Sequence, residues 1–195
     1  MLSNNDLRSG LVVVLLLGNG FTMRAQESDL PFRELSDYPE SYSETALVAR
    51  LIESLGFRYY WASEGFSKAD LAFKLSDDSR SIEATLDHIY DLSIIIRNSA
   101  EKLMNKPTER PEMTYEELRS ATLMNLKVAM QIIGTSDKME EFEIQFSSGS
   151  YPFWNQINGP VADAIWHCGQ LATLRRASGN PISPKVNHFV GTVRE

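Results

Sequence analysis

Four stretches of this chain repeat apolar residues at the three- and four-residue spacing that keeps them on one side of a helix. Four such stripes, with one long connection among them, point to helices packed on helices. The first stretch opens at Ser41-Tyr42-Ser43-Glu44, read as a capping box of Ser41 with Glu44, and carries Leu47, Leu51 and Leu55 toward Trp61 and Gly65. The second starts near Ser81 and runs through Ile82, Leu86, Ile89, Ser93 and Ile96 to about Met104, with Pro107 and Pro111 ending it. The third opens at the capping box Thr114-Tyr115-Glu116-Glu117 and carries Leu118, Ala121, Leu123, Leu126, Ala129, Ile132 and Ile133 to Gly134, which is placed as a positive-φ stop.

The fourth stretch extends from about Pro152, whose fixed φ suits a first helical turn, to Ser178, with Gly179 as its stop. Gly159-Pro160 lies inside this span, so the helix is either kinked there or begins after it. Residues 135–151 hold a charged run, an alternating Glu143-Ile144-Gln145-Phe146 and a Ser147-Ser148-Gly149-Ser150 turn, which predict a crossover with an irregular hairpin. The expected fold class is all-α, a four-helix bundle over residues 41–181 with a long connection between helices 3 and 4. At 195 residues and 43% apolar content the chain can bury one sizeable core. Residues 26–40 are polar and proline-punctuated and read as an N-terminal arm, and residues 182–195 as a C-terminal tail.

The first 25 residues differ in composition from the rest. Leu11 to Leu17 is an unbroken apolar run, followed by polar residues up to Ala25, in the manner of a secretory signal peptide cleaved after Ala25. The run is far shorter than the roughly 20 residues that span a bilayer, so no stable membrane anchor is expected. Export to the periplasm or the extracellular space follows if this reading holds; initiation at Met23 is the alternative and leaves the protein cytoplasmic. The single cysteine, Cys168, cannot form an internal disulfide. A net charge of −7, from 19 basic and 26 acidic residues without a basic run, argues against nucleic-acid binding.

The candidate chemistry concentrates in the fourth helix. Asp163 and His167 stand four residues apart and project from one face, either as an ordinary helical hydrogen bond or as two ligands of a metal. His88 lies at the border of the apolar stripe of the second helix, where a lone histidine is more often structural. Cys168 points about 100° away from His167 on the helix and reads as a packing residue. His188 falls in the tail and reads as a surface residue, and Arg175 with Arg176 as cations neutralising the end of their own helix.

The segment His167-Cys168-Gly169-Gln170, followed by Leu171, Arg175-Arg176 and Gly179-Asn180-Pro181, together with Leu86-Asp87-His88-Ile89 in the second helix, resembles the DinB/YfiT-like superfamily. That family consists of four-helix bundles that hold a divalent metal with three histidines, one from the second helix and two from a His-x-x-x-His-x-Gly-Gln pattern in the fourth. The resemblance covers about residues 41–181 and implies a bundle of DinB-like type with metal ligands His88, Asp163 and His167. Asp163 replaces a histidine of the pattern, and a two-His-one-carboxylate set remains competent for zinc or nickel, and for manganese or iron.

Around that expected site, Asp91 or Asp87 would orient His88, and Gln170, Asn155 and Asn158 would bind waters or a substrate carbonyl. Trp61 would form a pocket wall and Glu64 would serve as a general base. Two functions follow. One is a metal-dependent enzyme acting on a small molecule, either a hydrolase or, as characterised members of the family imply, a transferase using a low-molecular-weight thiol; export favours hydrolysis. The other is a non-catalytic bundle that has lost the metal and binds a small ligand or partner protein, or pairs as a homodimer.

Overall fold

The computed structural model describes residues 30–107, 109 and 111–195; the signal peptide expected over residues 1–25 lies outside them. In chain order the described elements are α1 (Glu44–Ala62), the short α2 (Lys68–Ala72), α3 (Ile82–Ala100), strand β1 (Met104–Asn105), α4 (Tyr115–Gly134), strands β2 (Ile144–Phe146) and β3 (Gly149–Tyr151), α5 (Phe153–Gln156), a π-helical turn (Ile157–Val161), α6 (Ala162–Ser178) and strands β4 (Val186–Asn187) and β5 (Thr192–Val193). The chain is mostly helical, and α4 and α6 each pack against both α1 and α3. No described helix is long and apolar enough to cross a membrane.

Helix boundaries follow local chemistry closely at α3 and α4. Ser81 accepts from the Ala84 N–H at the start of α3, and Thr114 with Glu117 forms the reciprocal capping box that opens α4. At α1 the cap is Ser43, not Ser41, and the Glu44 carboxylate accepts from the backbone N–H of Met139 instead of closing a box. The face of α1 also differs from the Leu47, Leu51, Leu55 stripe: Leu47 is exposed, and Ile52, Leu55 and Tyr59 fill the core with Leu86 and Ile89 of α3, Leu123 and Leu126 of α4 and Leu171 of α6.

Helix α3 stops at Ala100, before the residues first expected to end it. Lys102 turns left-handed at φ 57°, and the N–H groups of Lys102 and Leu103 return to the carbonyls of Ser99 and Asn98. This Schellman closure frees Met104 and Asn105 to pair in parallel with β2, a contact across forty residues that no local pattern announces. Gly179 ends α6 in the same way at φ 89°. Gly134 does not act as a stop: it is the last helical residue of α4, and its missing side chain lets α4 approach Ala49 of α1.

The last α-helix begins after Pro160, at Ala162, and a π-helical turn that contains the proline joins it to α5. A proline ring inside an α-helix collides with the carbonyl four residues back, and widening the turn to i→i+5 removes that clash. The π turn does this, with the Ala162 N–H reaching the Ile157 carbonyl, so α5, the π turn and α6 run on without a break in the helical path.

Helix α1 has no basic residue in its last turn, and its end is buried. Two arginines from other helices satisfy it. From α4, Arg119 donates to the Tyr60 carbonyl at 3.1 Å and to the Ser63 hydroxyl at 3.1 Å. From α6, Arg175, only 4% exposed, donates to the carbonyls of Trp61 at 2.9 Å and Glu64 at 2.7 Å, and on its other side to Asn180. Arg175 therefore serves the end of α1, which corrects the expectation that it caps its own helix; Arg176 remains exposed.

The N-terminal arm and C-terminal tail form a single clasp against α1. The Leu35 N–H donates to the Gly191 carbonyl, the Val193 N–H to Glu34, the Ser36 N–H to Glu53, and the Trp61 indole to the Arg33 carbonyl. Phe32, held at φ 71°, lays its ring on Gly56, where any β-carbon would overlap the ring. Gly56→Ala separates two opposing effects. Helix propensity alone favours alanine by about 0.5–1 kcal/mol, whereas overpacking costs about 1–3 kcal/mol. Net destabilisation in urea denaturation is the expected result, and a stabilised variant would contradict the Phe32 contact.

Candidate metal centre

His88 projects from the second turn of α3, and Asp163 and His167 from the first two turns of α6, where the two helices pack together. Asp163 Oδ2 is 3.0 Å from His88 Nε2, and Asp163 Oδ1 is 3.3 Å from His167 Nε2. The imidazole rings meet edge to face with centroids 4.5 Å apart. One ligand atom from each of the three residues lies within 4.8 Å of the others, close enough for a single ion to join them. His167 is the most enclosed, its side chain 11% exposed against 29% for His88 and 39% for Asp163.

Gln170, one turn beyond His167, places its Oε1 2.8 Å from His167 Nδ1. With the amide in this orientation Nδ1 carries the proton and donates it, which leaves Nε2 as the lone-pair nitrogen facing Asp163. In a neutral ring that lone pair confronts a carboxylate oxygen. A cation between Nε2 and Oδ1 converts the repulsion into two bonds, so the donor set fits a metal. Three protein ligands also leave coordination positions open toward solvent. Gln170→Ala removes this orienting contact, and zinc affinity is expected to fall about tenfold or more, as measured by chelator competition. Unchanged affinity would show that Gln170 does not orient the ligand.

The triad opens on a cavity of about 880 Å³ between α3, α6 and the loop that precedes α3. His88, Asp163, His167 and Gln170 line it, together with Arg80, Thr85, Trp166 and Thr173, which sequence reasoning did not select. Their signals were faint but present. Trp166 precedes His167, and Arg80 precedes the Ser81 cap two turns before His88.

Other expected site residues lie elsewhere. Trp61 is 5% exposed with its indole N–H on the Arg33 carbonyl, and the Glu64 carbonyl is held by Arg175, so this end of α1 belongs to the arginine-capped terminus and neither residue lines the cavity. Asn155 and Asn158 are exposed on the helical path before α6, also outside the lining. Asp91, one turn past His88, is exposed and likewise outside it, while Asp87 is half-buried beside His88.

Burial pushes the Cys168 thiol up to about 12, in keeping with a packing role. His188 is exposed at the C-terminal hairpin, with its ring edge-on to Phe57; partial burial, then the nearby Arg58, holds its pKa below the ordinary histidine value. No family model, curated protein or solved structure matches the chain.

Proposed function

We propose that this protein is a metal-dependent enzyme of DinB-like type, a four-helix bundle in which His88, Asp163 and His167 hold one divalent ion, zinc or nickel before manganese or iron. The observation that carries the proposal is the convergence of three ligand atoms from two helices within 4.8 Å at the wall of an open cavity. The placement of one ligand on the second long helix and two on the fourth agrees with the family pattern described above. A divalent ion bound there lowers the pKa of a coordinated water or substrate group and so supplies a nucleophile near neutral pH. The chain's own residues orient the ligands through Gln170 and offer a small molecule the adjoining cavity. Hydrolysis is the reaction that suits an exported protein, and group transfer to a small thiol the one that suits a cytoplasmic one.

A metal-free reading rests on a specific contact, the 3.0 Å hydrogen bond between Asp163 Oδ2 and His88 Nε2, which joins α6 to α3 without an ion. Elemental analysis of protein purified without a polyhistidine tag separates the two. About one equivalent of metal, lost in His88→Ala and in His167→Ala, is the expected result. Metal-free protein that takes up none on addition of zinc would leave the hydrogen-bonded tie as the role of these residues.

A further inference from the structure

Resting on the metal reading above, we propose that the cavity takes an organic carboxylate that reaches from the triad to Arg80, with its carboxylate on the guanidinium. The helices fix the layout. The Ser178 hydroxyl and the Asn180 amide reach Asp70 of α2, and the Ile82 N–H at the start of α3 reaches the Phe73 carbonyl just beyond α2. The beginning of α3 therefore lies beside the end of α6, and the two run antiparallel along the cavity. Arg80, two residues before α3, marks one end, and His88, six residues or about 9 Å along the helix from Ile82, marks the other.

The chemistry of the lining differs along that length. Besides the triad, Arg80 is the one charged lining residue, and among the described residues its guanidinium makes no hydrogen bond or ion pair. The nearby Asp77 is taken by Lys74 at 3.4 Å. The loop beneath Arg80 is held in shape by Ser76 and Ser79, which bond each other in both directions. In this antiparallel layout Gln170, Thr173 and Leu174 of α6 follow His167 toward Arg80, while Trp166, 72% exposed, lies beside the triad and Leu75, 61% exposed, in the loop before α3.

A ligand that satisfies both ends carries a metal-directed head and a terminal anion. The planar fork of arginine matches a carboxylate with two parallel hydrogen bonds. The chain as a whole carries a net charge of −7, which repels anions at a distance, so the attraction is local to this groove.

Suberic acid monohydroxamate and octanohydroxamic acid serve as probes: both present a hydroxamate to the metal, and only the first ends in a carboxylate. Zinc-loaded full-length protein and its Arg80→Gln variant are titrated calorimetrically with each. The wild type should bind the carboxylate probe about tenfold more tightly than the variant does, with the gap narrowing as salt is raised, while octanohydroxamic acid binds both alike. Circular dichroism checks that the exposed substitution leaves the fold intact. Equal affinity of the two proteins for the carboxylate probe overturns the inference, as does failure of both hydroxamates to bind protein that holds zinc; in either case the metal reading stands. Failure to retain zinc at all overturns the metal reading and the inference with it.

Discussion

Arg175→Ala should destabilise the fold by about 3–5 kcal/mol, because several hydrogen bonds to one buried guanidinium are lost together. The side chain is 4% exposed and donates to the carbonyls of Trp61 and Glu64 and to two oxygens of Asn180, while its guanidinium stacks on the Phe66 ring at 4.9 Å. Truncation loses those bonds and leaves the carbonyls of Trp61 and Glu64 without this donor. Each hydrogen bond to a charged group is worth about 1.5–3 kcal/mol, and shared partners make the sum smaller than the parts. Against a total stability of about 5–15 kcal/mol, this is the difference between a folded and a marginal protein. Arg175→Lys keeps the charge but cannot reach α1 and Asn180 together, so it should recover only part of the loss. Urea denaturation measures both, and a loss below about 1 kcal/mol for alanine would refute the clamp.

Asp163→Ala should weaken zinc binding by more than about 100-fold, since loss of a contact outside the ligand set already costs 10–100-fold. The variant removes a ligand and the only negative charge of the triad. Asp163→His tests the departure from the family pattern directly: three imidazoles should retain zinc and nickel and discriminate more strongly against manganese, for which carboxylates are the better ligands. Competition against a chromophoric chelator with each ion gives the comparison. Wild-type zinc affinity in Asp163→Ala would remove Asp163 from the metal set.

Local chemistry was legible wherever it acts over one helical turn. Thr114 starts its helix where the capping box predicts, the helix expected to start near Ser81 does so, and Gly179 stops the last one. The Asp163/His167 pairing was legible because four residues are one turn, and His88 was added by resemblance, not by its spacing. Misreadings arose where a distant element chose between local options. Ser41 and Ser43 both fit a cap, and the Met139 N–H that engages Glu44 accompanies the later one.

A basic residue at a helix end suits its own carbonyls as well as a neighbour's, and only the packing of α6 on α1 sends Arg175 to the neighbour. Trp61 and Glu64 were attached to the site by their place at the end of the first helix, yet that end is where Arg119 and Arg175 converge. Pro160 allowed a kink or a late start in local terms; α6 does start after it, and what local reading missed is the wider turn that joins α6 to α5, whose Phe153 and Gln156 are buried.

That wider turn sets the phase between two halves of one helical path. Upstream, Phe153 faces Phe142 of the crossover; downstream, Asp163 and His167 face α3. Deleting one residue from Ile157–Val161 would leave the downstream half as it is and rotate the upstream half by about 100°. The turn works as a spline between two shafts, letting the crossover end and the metal end each hold the bearing its own neighbours demand.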